Sequence, residues 1–201
     1  MRTLAIDCAT DACSVALFED DILLAGEYAL LGRGHAEALL PMIARLPDRG
    51  RAKRIVVDLG PGSFTGIRIG LAAARALALA WGGEALGYPA PALVAAMARD
   101  AWGPVPVTVV NNGGHGEWFV QRFEADGMAL DEVRSLPADE AVKIDHGAHV
   151  VGSKAAEAAH TGAQVLDLRP DARAFSLLPP AFLTADLRPL YGRAPDAKLP
   201  G

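Results

Sequence analysis

The sequence predicts a two-lobed α/β protein, and three observations support this. The first hundred residues alternate strand and helix patterns in the order expected for a mixed sheet covered by helices. A glycine-rich loop joins a short buried strand to a long apolar helix. Two prolines and a glycine within residues 102–106 then end the helical periodicity, and a second series of strands begins. We therefore predict lobes at 1–103 and 104–201.

In the first lobe, strands are predicted where β-branched and aromatic residues cluster, and helices where apolar residues recur every three or four positions. The predicted elements are strands at 2–8, 13–18 and 22–29, a helix at 35–46, a strand at 54–59, a helix at 67–81, a strand at 85–88 and a helix at 91–99. The first three strands should form an antiparallel meander.

The second lobe begins as the first one does, with strands. The predicted strands are 107–110, 117–123 and 128–133, followed by a short strand at 149–151 and a helix at 153–160. The segment after Arg169 is rich in Pro, Leu and Asp, and it carries no clear periodicity.

The loop Gly60–Gly70 is the most informative segment of the chain. Its glycines permit backbone angles that other residues avoid, and Ser63 or Thr65 can cap the following helix. A helix N-terminus of this kind could hold an anion. The known phosphate loops do not fit, however, because Gly66 is followed by Ile67 rather than Lys, and position 65 is not glycine. A nucleophile elbow around Ser63 lacks both of its glycines, so we interpret Ser63 as a cap.

The helix at 67–81 is apolar on nearly every side, with Arg68 and Arg75 as its charges. Such a helix is covered on more than one face. Two explanations remain open at this point: a central core helix of this lobe, or a helix shared with a partner subunit.

Composition excludes several classes of protein. The net charge of -5 and the pI near 5.5 disfavour unaided binding to nucleic acid. Cys8 and Cys13 suggest neither a disulfide framework nor a four-cysteine zinc site, and we expect both to be reduced. No signal peptide or membrane-spanning segment is predicted, so we expect a cytoplasmic protein.

Four segments together resemble the TsaB family. They are Asp7 at the end of the first strand, Asp11–Leu17, the pattern His35-x-Glu37-x-x-Leu40-Pro41, and Gly60–Gly70. Tyr191–Lys198 also resembles the family's closing Tyr-x-Arg-x-x-x-x-Lys signature. The resemblance implies a non-catalytic partner of TsaD in the machinery that makes threonylcarbamoyladenosine in tRNA.

The resemblance also implies an actin-like ATPase fold with tandem ribonuclease-H-like sheets, the second lobe being reduced. Proteins of that superfamily hold a nucleotide between the lobes. By this resemblance, we expect the corresponding positions of this chain to form a vestigial nucleotide site: Asp7, Thr10, Ser14, Asn111, Asn112, Gly113 and Gly152. The second-lobe position at which the superfamily carries an acidic residue falls at Asn111 or Asn112. A neutral amide is a poor Mg²⁺ ligand.

A partner interface for TsaD is expected on the two apolar helices of the first lobe. Its predicted residues are His35, Leu39, Met42, Ile43, Ile67, Arg68, Leu71, Ala74 and Ala78. TsaE would join indirectly, and tRNA would be contacted only through the complex. The isolated chain could instead pair with a second copy through the same helices. We expect no catalytic residue, no metal and no cofactor beyond weak ATP or ADP at the joint with TsaD.

Two enzymatic alternatives compete with the scaffold. An independent actin-like ATPase or kinase would need the missing second-lobe carboxylate. A metallopeptidase, suggested by the older glycoprotease-like family name, would need a metal centre. Residues 88–94, where TsaD carries its metal-binding histidine pair, contain no histidine, and His146 and His149 are interpreted as surface residues.

Overall fold

Two five-stranded sheets form the cores of the two lobes. The computed structural model describes residues 1–192. The strands of the first sheet are β1 (Arg2–Asp7), β2 (Ala12–Glu19), β3 (Ile22–Leu30), β4 (Arg54–Asp58) and β5 (Glu84–Tyr88). Their order is β3-β2-β1-β4-β5; the first three strands are antiparallel, and β4 and β5 are parallel to β1.

The second sheet repeats this arrangement. Its strands are β6 (Val107–Gly114), β7 (Glu117–Phe123), β8 (Arg134–Pro137), β9 (His149–Val151) and β10 (Gln164–Leu166). Their order, read from the third strand of the lobe, is β8-β7-β6-β9-β10, again with three antiparallel and two parallel members. The shared order confirms the predicted tandem ribonuclease-H-like sheets.

The helices differ greatly in length between the lobes. The first lobe has α1 (His35–Arg45), α2 (Phe64–Trp81) and α3 (Ala90–Trp102), whereas α4 (Ala138–Ala141) and α5 (Ala155–Ala158) of the second lobe are single turns. The second lobe is therefore reduced, as predicted. The predicted helix at 153–160 is correspondingly too long.

Side-chain alternation along the first sheet separates two layers. Leu4 and Ile6 of β1 face α1 and α2, whereas Ala5 faces α3 on the opposite side. Helix α3 also contacts Val107 and Phe123 of the second sheet, so its buried side chains belong to a core that both lobes share.

The final described segment returns to the first lobe. A 3₁₀ helix at Ala172–Leu177 packs on β2 and β3, where the Ala172 amide donates a 2.8 Å hydrogen bond to Ser14 Oγ. Further along, the Leu190 amide donates to the Leu59 carbonyl at 2.7 Å. Residues 172–192 thus depart from the predicted division, because their apolar side chains cover a sheet face that lies in the other lobe.

The predicted strand at 128–133 is wrong. The chain turns tightly at 124–128, and the Asp131 carboxylate accepts hydrogen bonds from the backbone and side chain of Arg122. A side chain thereby replaces the backbone partner that a continuing strand would supply. Pairing with β7 resumes in β8, which begins at Arg134, one residue after the end of the predicted strand. Strand β10 was not predicted.

Candidate functional site

A cleft of about 960 Å³ lies between the lobes. Its walls come from three loops and a few flanking side chains. The lining residues are 9–11 after β1, 61–64 before α2, 111–115 at the β6–β7 turn, and Gly32, Arg68, Ser153, Lys154, Arg169 and Tyr191. The cleft occupies the place where the sequence predicts the vestigial nucleotide site.

The glycine loop is packed directly on the turn after β1. A Cβ added at Gly62 would lie 1.9 Å from the Ala9 carbonyl oxygen, and one added at Gly66 would lie 1.9 Å from that of Cys8. The Ser63 amide donates a 2.6 Å hydrogen bond to the Ala9 carbonyl. The glycines therefore allow two stretches of backbone to touch, and the Ser63 amide is already occupied by the chain itself.

Ser63, rather than Thr65, caps α2. Its Oγ accepts a hydrogen bond from the Gly66 amide at 3.2 Å. This bond satisfies one of the four amides that a helix N-terminus leaves without an intrahelical partner. Ser63 Oγ is thus an acceptor in a structural bond rather than a hydroxyl poised for nucleophilic attack.

The predicted nucleotide positions are only partly brought together. Thr10, Asn111, Asn112 and Gly113 line the cleft. The remaining three positions, Asp7, Ser14 and Gly152, are buried beneath the cleft and do not line it. Asp7 in particular is fully buried, so its carboxylate does not reach a phosphate group placed in the cleft.

The β6–β7 turn uses its own polar groups. Asn111 Oδ1 accepts a hydrogen bond from the backbone amide of Ser153 at 3.1 Å. The backbone amide of Asn112 donates to Ser153 Oγ at 2.9 Å. Gly152 has a φ of +122°, and a Cβ there would lie 2.4 Å from the Val110 carbonyl. The two asparagines therefore hold β6 to the chain after β9.

Three cations face the cleft, and each has a partner within the chain. Arg169 pairs with Asp11 at 3.5 Å and also with Asp167, while Lys154 pairs with Glu157. Arg68 lies over the Phe64 ring at 3.6 Å and donates to the Tyr191 hydroxyl at 3.1 Å. An anion entering the cleft would compete with these contacts.

The chain is similar in sequence and in structure to several known proteins. The family model of TsaD, tRNA N6-adenosine threonylcarbamoyltransferase, matches residues 29–181. The TsaB protein of Escherichia coli K12 is 37% identical over 134 residues, which cover 63% of this chain and 56% of that relative. The solved structure of YeaZ from Pseudomonas aeruginosa superposes with a TM-score of 0.74 at 27% identity, covering 88% of this chain and 89% of that one.

The chain belongs to the TsaB family. A protein of Mycobacterium tuberculosis described as uncharacterized is 33% identical over 97% of this chain and 93% of its own length. The actin-like fold predicted from the resemblance is confirmed. Matches to the E. coli relative span little more than half of that protein. Residues 193–198 of the closing signature lie outside the described residues.

The predicted TsaB-family interface residues are mostly turned inward. The side chains that belong to the chain's own core are His35, Leu39, Met42, Ile43, Ile67, Leu71, Ala74 and Ala78. Arg68 alone of the nine predicted residues is exposed. The prediction that these side chains form a contact surface is wrong. On both helices the predicted residues belong to the apolar row that packs on the first sheet.

The opposite faces of the same helices are exposed. On α2 the outward positions include Ala72, Ala76 and Leu79, and the Leu79 side chain is 86% exposed. On α1 the Leu40 side chain is 56% exposed. Helix α2 is thus both a core helix and an apolar surface. By length and mean hydropathy, 1.3, it could span a membrane, but its inner face is packed on β1 and β4, as in a soluble core.

Beneath the glycine loop lies a buried pair of carboxyl groups, Asp7 and Asp58, at the ends of neighbouring parallel strands. The Tyr88 hydroxyl donates to Asp7 Oδ2 at 3.2 Å, and the Gly60 amide donates to Asp58 Oδ1 at 2.6 Å. Burial raises the pKa of Asp58 to about 6, and burial beside Asp58 raises the pKa of Asp7 well above its usual range. No sequence pattern assigned a role to Asp58, although it closes a strand just as Asp7 does.

The histidines differ from the prediction in one respect. His146 is buried rather than exposed, because its Nε2 contacts the Ala141 carbonyl at 2.8 Å and its ring stacks with His160. Burial lowers the pKa of His146. Within residues 1–192, no three His, Cys, Asp or Glu side chains form a group that could hold a metal.

Proposed function

We propose that this chain is the non-catalytic subunit that binds TsaD in the complex forming threonylcarbamoyladenosine in tRNA. Membership of the TsaB family and the names of its relatives support a place in this modification. The observation that carries the proposal is the exposed small-residue face of α2. The partner would be TsaD, with TsaE joining through the complex and tRNA approaching the assembly rather than this chain alone.

The exposed face of α2 suits a helix-to-helix interface. Alanines at 72, 76 and 80 allow a second helix to approach closely, and Leu79 supplies a large apolar side chain at their edge. Burying such an exposed leucine contributes about 1.5 to 3 kcal/mol. Arg68 and Arg75, at the same helix's borders, are held by Tyr191 and by the Leu187 carbonyl. They would leave the apolar face free for the partner.

The scaffold role is supported by the condition of the cleft. The Ser63 amide, the two asparagines and the three cations of the cleft already bond to the chain, and Asp7 is shielded from the cleft. We therefore assign the contribution of this chain to binding, and the bond-making steps to TsaD.

The test is complex formation with TsaD by the purified full-length chain. Ala76→Arg places a long cation on the exposed face of α2, and we expect it to abolish coelution while the variant keeps the wild-type melting temperature. The matched control is Ala101→Arg, an exposed alanine at the end of α3 on the other face of the sheet. Coelution of Ala76→Arg at wild-type affinity would contradict the interface.

Function is tested separately by reconstituting tRNA threonylcarbamoylation from the partner proteins with and without this chain. We expect product formation to require the chain and to be lost with Ala76→Arg but not with Ala101→Arg. Equal product in its absence would reject the role in modification even if a complex forms.

An independent ATPase is the second candidate, and the size of the cleft favours it. It requires ATP turnover by the isolated chain with Mg²⁺. We expect no turnover above that of an Asp7→Asn variant. A rate that falls with this substitution would replace the scaffold with an enzyme.

A further inference from the structure

The buried carboxyl pair joins the two loops that form one wall of the cleft. Asp7 ends β1 and Asp58 ends β4, which lie side by side in the sheet. Asp7 Oδ1 accepts from the Ala9 amide at 3.3 Å, and Asp58 Oδ1 accepts from the Gly60 amide at 2.6 Å. Each carboxyl group is therefore fixed to the first residues of its own loop.

Two carboxylates cannot be placed in contact inside a protein core unless a proton lies between them. Asp7 and Asp58 directly follow the paired residues Ile6 and Val57 of neighbouring parallel strands, and both aspartates are buried. Asp58 Oδ2 has no donor among the other described groups. This oxygen is free to accept a hydrogen bond from a protonated Asp7.

The surroundings decide which partner keeps the charge. Asp58 accepts a short bond of 2.6 Å from the Gly60 amide, and the Ala90 backbone amide at the N-terminus of α3 also favours its charged form. Asp7 receives longer bonds from the Ala9 amide and the Tyr88 hydroxyl. The negative charge therefore resides on Asp58, and the proton on Asp7.

The other titratable groups around the pair are a phenol and two thiols. They are Tyr88 on β5, Cys8 after β1 and Cys13 on β2; burial raises the pKa of the Tyr88 phenol, and the Cys13 contact and burial raise that of the Cys8 thiol. The residues of α2 that lie closest to the carboxyl pair are Gly66 and Gly70, and the part of α3 closest to it is its first backbone amide. The arginines of α2 face solvent. Among residues 1–192, no Lys, Arg or His side chain forms a hydrogen bond or an ion pair with either carboxyl group, so a proton neutralises the pair.

We infer that Asp7 and Asp58 share one proton at neutral pH, and that this proton holds the glycine loop, and with it the start of α2, against the turn after β1. Loss of the proton would place two negative charges side by side behind the contact between the Ser63 amide and the Ala9 carbonyl. Because of this shared proton, the geometry of the cleft wall and of the first turn of α2 is sensitive to pH.

The direction of the pH effect follows from proton counting. In the unfolded chain both carboxyls have ordinary pKa values near 3.8, so both are ionised at neutral pH. The folded protein keeps one proton, and unfolding releases it. Stability is therefore greatest below the ordinary pKa and falls as the pH rises, until the folded pair itself loses its proton.

The experiment measures the unfolding equilibrium of the full chain in urea between about pH 6.5 and 8.5, where one released proton raises the unfolding constant about tenfold per pH unit. We expect Asp7→Asn to lose this dependence, because Asp58, with the Gly60 amide as its donor, titrates at about pH 6, below this range. Asp100→Asn, an exposed change of the same charge on α3, should retain it.

Equal slopes in the wild type, Asp7→Asn and Asp100→Asn would overturn the shared proton. A second readout covers the case in which a pair variant does not fold. Carboxyl carbon NMR of the folded wild type should show one buried aspartate that titrates at about pH 6 and another that stays protonated well above it. Two buried aspartates ionised at pH 5 would reject the inference independently.

Discussion

Ala74 and Ala76 lie two positions apart on α2 and face opposite environments. Ala74 is fully buried against the first sheet, whereas Ala76 faces solvent. The same substitution at the two sites should therefore separate folding from partner binding.

We predict that Ala74→Arg unfolds the protein, because a buried site has no room for a long side chain and no partner for its charge. Ala76→Arg should change the free energy of unfolding by less than about 0.5 kcal/mol, as is usual for an exposed site. Urea unfolding of both variants measures this. A folded Ala74→Arg protein would show that the core around α2 is looser than its packing indicates.

The backbone contact of the glycine loop predicts a sharp difference between two glycines. Gly66→Ala should prevent folding or cost several kcal/mol, because its Cβ would overlap the Cys8 carbonyl. Gly32→Ala meets no atom within 4 Å and should cost about 1 kcal/mol through its left-handed φ of +66° alone. Thermal melts distinguish the two; similar losses at both sites would contradict the proposed contact.

The cap of α2 gives a milder prediction. Ser63→Ala removes the acceptor of the Gly66 amide and should lower the free energy of unfolding by about 1 kcal/mol. Thr65→Ala, two positions later and exposed, makes no such bond and should be close to neutral. If Thr65→Ala is the more harmful change, the capping residue has been assigned to the wrong hydroxyl.

Tyr191 is predicted to act through its ring rather than its hydroxyl. Tyr191→Phe keeps the 4.9 Å contact with the Phe64 ring and loses only an exposed hydrogen bond from Arg68, so stability should change by less than about 0.5 kcal/mol. Tyr191→Ala also loses the ring contact and should cost about 1 kcal/mol. Hydrogen exchange near residue 64 would show whether the final segment has been released.

Local patterns were sufficient to predict the sheets and the long helices. Alternation in β1 and β2 and the glycine loop before α2 specify their elements within a few residues. Asp131 illustrates a limit, since its side-chain bonds to Arg122 interrupt a segment with good strand composition. The return of residues 172–192 to the first lobe depends on contacts across the whole chain and leaves no periodic signal.

The site was predicted less well than the fold. For a helix that is apolar all round, periodicity cannot distinguish the inner row from the outer one, which explains the inverted assignment at Ala74 and Ala78. Asp58 illustrates the same limit, because its meaning depends on the strand next to it. Parallel pairing of β1 with β4 brings two carboxyl groups together from positions 51 residues apart, and only the three-dimensional register reveals the pair.

The covering of β2 and β3 by residues 172–177 has a consequence for synthesis. A growing chain on the ribosome will have made both strands long before the segment that shields Phe18 emerges, because Phe175 packs on Phe18 from 157 positions later. An apolar face of the first lobe therefore stays exposed to solvent until nearly the entire polypeptide has been made. Nascent proteins in such a state are prone to aggregate and are bound by chaperones.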